Sequence, residues 1–114
     1  MKLFISQPMQ NRSNEEIEAE RKAAIDSVMR NYPGEKIEVI DSFFKDKQEP
    51  DGVAHGLWFL GESIKLLSTA NVAYFCNGWE NARGCRIENA AAIAYGLDVI
   101  EDYSKCKISH RVLK

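Results

Sequence analysis

Apolar residues fall along this chain in short runs and helical stripes that alternate with one another. Leu3, Phe4 and Ile5 lead into Ser6 as an apolar run of strand length, and Pro8 ends it because proline cannot donate to a ladder. Residues 6–11 (Ser6, Gln7, Pro8, Met9, Gln10, Asn11) are therefore a loop at that strand's carboxyl end. Ser13 and Glu16 make a Ser-x-x-Glu capping box, and Asn14, Glu15 and Glu16 open a helix with acids where its dipole favours them. The stripe Ile17, Arg21, Ala24, Ile25, Val28 carries that helix to about residue 31, with Glu18, Glu20, Lys22 and Asp26 mostly facing water, and Tyr32-Pro33-Gly34 stops it.

Residues 36–40 alternate in part and are β-branched, which predicts a second strand ending at Asp41-Ser42. Residues 43–56 form a long polar connection, for which a lid over a site and a plain solvated loop are both open readings. Leu57, Leu60, Ile64 and Leu67 mark one face of a helix over 57–69, widened by Phe59 and by Trp58, which reads as a core or interface anchor. A buried strand over 72–76 and an alanine-rich helix over 84–95 follow, then a short strand over 97–100. The tail, 102–114, fits a short helix, an edge strand with Ile108 and Val112, or a dimer arm.

Strands alternating with helices predict an α/β domain whose small sheet of four or five strands is mostly parallel, with right-handed crossovers. In such sheets ligands bind beyond the carboxyl ends of the strands, where helix N-termini offer unpaired N–H groups. That places the chemistry in the connection after the third strand, which is dense in polar groups: Asn77, Trp79, Glu80, Asn81, Arg83 and Arg86. Glu88 stands a turn into the following helix among small or apolar neighbours, Ile87, Ala90, Ala91 and Ala92, so that helix can lie close to the sheet while Glu88 points along the rim. Ser6 and Asp41 fall at the same edge.

Composition narrows the options. With 114 residues, 45% hydrophobic and 28% charged, the chain is expected to be one domain spanning 1–114, with a single core. A net charge of −2 without a basic stripe argues against a nucleic-acid polymer as partner. Three widely spaced cysteines, Cys76, Cys85 and Cys106, argue against a disulfide framework; the chain has no apolar run of membrane-spanning length, and a cytoplasmic location is expected. His55 and His110 stand alone, so no metal site and no cofactor are expected. Cys85, near a helix start, is placed for a lowered pKa, but nothing in the sequence supplies a base for it. A carboxylate nucleophile or acid/base at Glu88, with Asp41, Glu80 and Ser6 as neighbours, is the better supported chemistry, although a lone glutamate on a helix is usually a solvated face residue.

The run Gly84-Cys85-Arg86-Ile87-Glu88, followed by Asn89-Ala90-Ala91-Ala92-Ile93-Ala94-Tyr95-Gly96 and Leu97-Asp98-Val99-Ile100, resembles the signature of the nucleoside 2-deoxyribosyltransferase-like superfamily. There a glycine precedes the catalytic glutamate by four positions. Leu3-Phe4-Ile5-Ser6-Gln7-Pro8-Met9 is similar to the superfamily's first strand and substrate loop, most closely in a branch of small uncharacterised bacterial and phage proteins. The chain departs from the pattern where a glycine commonly stands in place of Gln7 and an aspartate in place of Asn71, and where Glu80 and Asn81 are the nearest counterparts of an acidic base-holding residue.

The resemblance implies a three-layer, flavodoxin-like (Rossmann-like) α/β/α domain that takes a nucleoside or nucleotide at the carboxyl edge of its sheet, and a homo-oligomer. Glu88 would attack C1′ of the deoxyribose, and a second base or water would resolve the glycosyl-enzyme by transfer or hydrolysis. Ser6, Gln7 and Asp41 would position the sugar; Arg83, Arg86 and Gly84 would hold a phosphate or ribose; Pro8, Met9, Asn77, Trp79 and Glu80 would complete the substrate pocket. Two rival readings are a non-catalytic nucleotide-binding module, in which Glu88 holds ribose hydroxyls, and an interaction domain in which Arg83, Arg86, Glu80 and Glu88 form a surface ion-pair net.

Overall fold

The computed structural model describes residues 1–42, 44 and 47–104. Of the tail, 105–114, with Cys106, Ile108, His110 and Val112, lies outside the described residues. Four strands and three α-helices alternate: β1 (Lys2–Ser6), α1 (Asn14–Asn31), β2 (Glu38–Val39), α2 (His55–Leu67), β3 (Val72–Phe75), α3 (Arg83–Ala94) and β4 (Asp98–Glu101), with a single 3-10 turn, Trp79–Asn81, before α3. The sheet is wholly parallel in the order β2-β1-β3-β4.

This order follows from handedness. The chain steps one way from β1 to β2 and the other way from β2 to β3 and β4, so right-handed crossovers put α1 on one face and α2 and α3 on the other. Packing agrees: Ala24 and Val28 of α1 cluster with Leu3, Ile5, Val72, Tyr74 and Cys76, whereas Leu67 of α2 and Cys85 and Ala92 of α3 cluster with Phe4, Ala73 and Phe75. The result is a three-layer, flavodoxin-like α/β/α domain. β1 and β3 are central and covered on both faces, which is why their sequences are continuous apolar runs without alternation.

Local signals set the element ends. Ser13 Oγ accepts from the Glu16 N–H at 3.1 Å while Glu16 Oε1 accepts from the Ser13 N–H at 2.8 Å, the reciprocal capping box. At the end of α3, Leu97 N–H donates to Ala92 O at 3.0 Å and Gly96 N–H to Ile93 O at 3.2 Å, a Schellman motif that needs the left-handed φ of 79° at Gly96. The second strand is shorter than the pattern over 36–40 suggests, because β2 is an edge strand with one neighbour; Ile40 N–H still donates to Leu3 O at 2.8 Å beyond it. Helix α2 starts two residues earlier than its apolar stripe, at His55, and Leu57 is 69% exposed rather than part of the packed face. The first turn of α2 borders the cleft described below, beyond the strand ends.

Candidate functional site

The strand order reverses between β1 and β3, and at the carboxyl end of β1, between α2 and α3, the surface opens into a cleft of about 550 Å³. That volume is in the range of small-molecule sites. Ser6, Gln7, Pro8 and Met9 form its floor; Gly56, Phe59, Leu60 and Ser63 of α2 form one wall; Gly84, Cys85 and Glu88 of α3 form the other. Ser42, Phe44, Lys47 and His55 close the outer side.

Glu88 sits at the inner end of this cleft, 7% exposed, and its Oε1 accepts from Ser6 Oγ at 2.6 Å. Burial pushes its carboxyl pKa up; hydrogen bonds from the Ser6 and Ser63 hydroxyls pull the other way. Cys85 also faces the cleft, but burial pushes its thiol up to about 11, so its position near the helix start does not lower its pKa and the thiol stays protonated at neutral pH. Among the described residues no three His, Cys, Asp or Glu side chains are grouped as a metal ion would require, and no helix is long and apolar enough to cross a membrane.

The floor is held from behind by α1. Gln7 borders the cleft, yet its side chain turns the other way: Nε2 donates to Ile17 O at 3.2 Å and Glu20 Oε1 at 2.9 Å, and Oε1 accepts from Arg21 Nη1 at 3.2 Å. Arg12 donates to Glu20 at 2.8 Å and to Pro8 O at 3.0 Å. Arg21 also donates to Ser42 Oγ at 3.4 Å and to Ile40 O at 3.3 Å, and Ser42 Oγ donates to Ile5 O at 3.2 Å. Glu20, expected to face water, is thus half-buried in a network that ties the connections after β1 and β2 to one helix. A rigid floor follows from satisfying these groups rather than from apolar contact.

Of the residues expected at the site, Glu88, Ser6, Pro8, Met9 and Gly84 are brought together, with Gln7 present through the floor alone. Asp41 is exposed and does not border the cleft, whereas Ser42 does, because successive residues of an extended chain point to opposite sides. Trp79 is buried against Phe75 and Tyr103, with ring centroids 5.7 and 5.8 Å away, and anchors the core. Asn77 and Glu80 are half-buried outside the lining, and Glu80 offers only its backbone oxygen, at 3.2 Å, to Arg86. Arg83 and Arg86 are exposed. Arg86 lies about 200° around the helix from both Gly84 and Glu88, so the wall and that arginine cannot share a face. Asn71 works at the opposite end of the sheet, where Oδ1 accepts from the Lys2 N–H at 2.6 Å.

Lys47 and His55 also border the cleft. Lys47 pairs with Glu62 at 3.3 Å, and His55 with Glu49, whose carboxyl it holds below the usual range. Phe44 and Phe59 stand between them, centroids 6.1 Å apart. Neither side chain, nor Ser63, was legible as bordering a cleft from spacing in the connection. The available signal was the stripe Gly56, Phe59, Leu60, Ser63, in which two small residues interrupt an otherwise apolar helix face. In comparisons with known proteins, no family model, no curated protein and no solved structure matches this chain.

Proposed function

We propose that the cleft takes a nucleoside or nucleotide and that Glu88 attacks the anomeric carbon, breaking the N-glycosidic bond. The observation that carries this reading is the buried Glu88 carboxylate, fixed by Ser6 at 2.6 Å and bordering a cleft of small-molecule size. An oxocarbenium-like centre needs an anion on one face and a leaving group on the other. In that step a Glu88 oxygen bonds to C1′, the bond's electron pair leaves with the base, and the base takes a proton from solvent. Water or a second base then displaces the carboxylate, giving hydrolysis or transfer. The rings of Phe44 and Phe59 suit the flat faces of a base, and Lys47 is a cation at the cleft that a phosphate would pair with. The non-catalytic reading, binding or sensing through the same pocket, draws on Glu88 already being engaged by a hydroxyl, the contact a ribose would make.

The deciding experiment incubates the protein with a panel of nucleosides and nucleotides and measures released base, with Glu88→Ala alongside. Release by the native chain that is abolished in Glu88→Ala, in a variant that still melts cooperatively, is the expected outcome. Binding without any release, lost in Glu88→Ala, transfers the site to the binding module. The buried free thiols of Cys76 and Cys85 support a reducing, cytoplasmic setting. The exposed apolar groups Leu57, Ile87, Ile93 and Tyr95 support a homo-oligomer.

A further inference from the structure

Ser6 reaches Glu88 from β1, and helix α2 faces the same carboxylate from across the cleft. Both α2 and α3 are crossover helices on one face of a parallel sheet, so they run in the same direction. Their relative register is visible at Gly84, where a Cβ would stand 3.9 Å from Leu60 Cδ1. One helical turn further along each helix, position 63 comes opposite position 88. Ser63 is on the stripe of α2 that borders the cleft, and its hydroxyl acts against burial in holding the Glu88 pKa down.

Resting on the reading of Glu88 as the reacting carboxylate, we infer that Ser63 is a positioning residue which, with Ser6, clamps Glu88 between α2 and β1. An ionised carboxylate offers about four acceptor sites, so two hydroxyl donors fix its rotamer and leave a lone pair free for the cleft. Hydroxyls suit this task better than a lysine or arginine, which would neutralise the charge a nucleophile uses. They also offset part of the burial that disfavours the anion. The titratable groups sharing the cleft are Cys85 on the same helix and Lys47 and His55 on the outer side; none of them is replaced in the test below.

The test follows the Glu88 carboxyl carbon by NMR in glutamate-labelled protein, assigned with Glu88→Gln, through a pH titration of the native chain, Ser63→Ala and Ser63→Thr. Base release is profiled against pH in the same proteins. Ser63→Ala is expected to move the Glu88 titration and the acid limb of the profile to higher pH, costing about tenfold in rate at a fixed pH on that limb. Ser63→Thr, which keeps the hydroxyl, is expected to restore both. A Glu88 titration unchanged in Ser63→Ala overturns the inference even where base release is normal. A shifted titration in a protein that releases no base upholds the clamp and overturns the glycosidic reading instead.

Discussion

Glu88 is placed against its own ionisation. A carboxylate loses hydration on burial, and here only hydroxyl partners compensate, so its pKa in the folded chain stands above the ordinary value. The folded state therefore holds this proton more tightly than the unfolded chain does. The stability that the protonated group contributes is fully present below the unfolded pKa and is lost as pH rises through the raised folded one. Glu88→Gln, which keeps the shape but cannot ionise, should gain in melting temperature relative to the native chain as pH rises from about 4 to 8. Thermal melts of both proteins across that range measure this, and a constant difference between them would mean the carboxylate is not desolvated. The same side chain supplies a pH signature for function, because a nucleophile must be ionised and its rate must fall as pH drops through the raised value.

Helix ends are where this fold is most sensitive to small changes. Gly96 closes α3 in the left-handed region and aims the chain into β4, with Leu97 packing against the cluster that holds Ala92. A Cβ there meets no neighbour within 4 Å, so Gly96→Ala is strained by conformation alone. It should cost about 1 to 2 kcal/mol, read from denaturant midpoints at unchanged slope. Helix α3 also sorts its basic residues by periodicity: Gly84, Cys85 and Glu88 face the cleft, while Arg83, Arg86 and Ile87 face out. If the ligand carries a phosphate, Lys47→Ala should weaken its binding more than Arg86→Ala, and should leave the unphosphorylated nucleoside less affected. Titrations of both ligand forms at two salt concentrations test it, since a charge-dependent contact weakens with ionic strength. Equal effects of the two substitutions would remove Lys47 from that role.

At the scale of the whole molecule, apolar surface is left over. Leu57 is 69% and Tyr95 87% exposed, and Ile87 and Ile93 face out from α3, which already packs on the sheet through its other side. A second copy covering this surface would remove it from water at roughly 25 cal/mol per Å². Sedimentation at micromolar concentration should show an assembly larger than one chain, which Ile87→Lys should weaken. A single monomeric species in the native protein would leave the outer face of α3 without an assembly role.

The pattern of apolar positions was enough for the order and kind of the elements, because strands buried on both faces and helices with one packed stripe leave periods in sequence that need no partner to be read. Ser13 with Glu16 and Pro33 with Gly34 mark their boundaries by local hydrogen bonding and backbone restriction, which are also sequence-local. Glu88, Ser6 and Gly84 were legible as neighbours at one edge because Ser6 ends a strand, Gly84 opens a helix and Glu88 stands one turn further on the same face, and the parallel topology brings these together. The direction of the other polar side chains was decided by tertiary contacts. Gln7 turns away because α1 offers Glu20 and Arg21 behind the floor. Trp79 is buried because Phe75 and Tyr103 flank it in the core. Ser63 comes opposite Glu88 only because α2 packs parallel to α3, a register set by Leu60 against Gly84 and by no spacing along the chain.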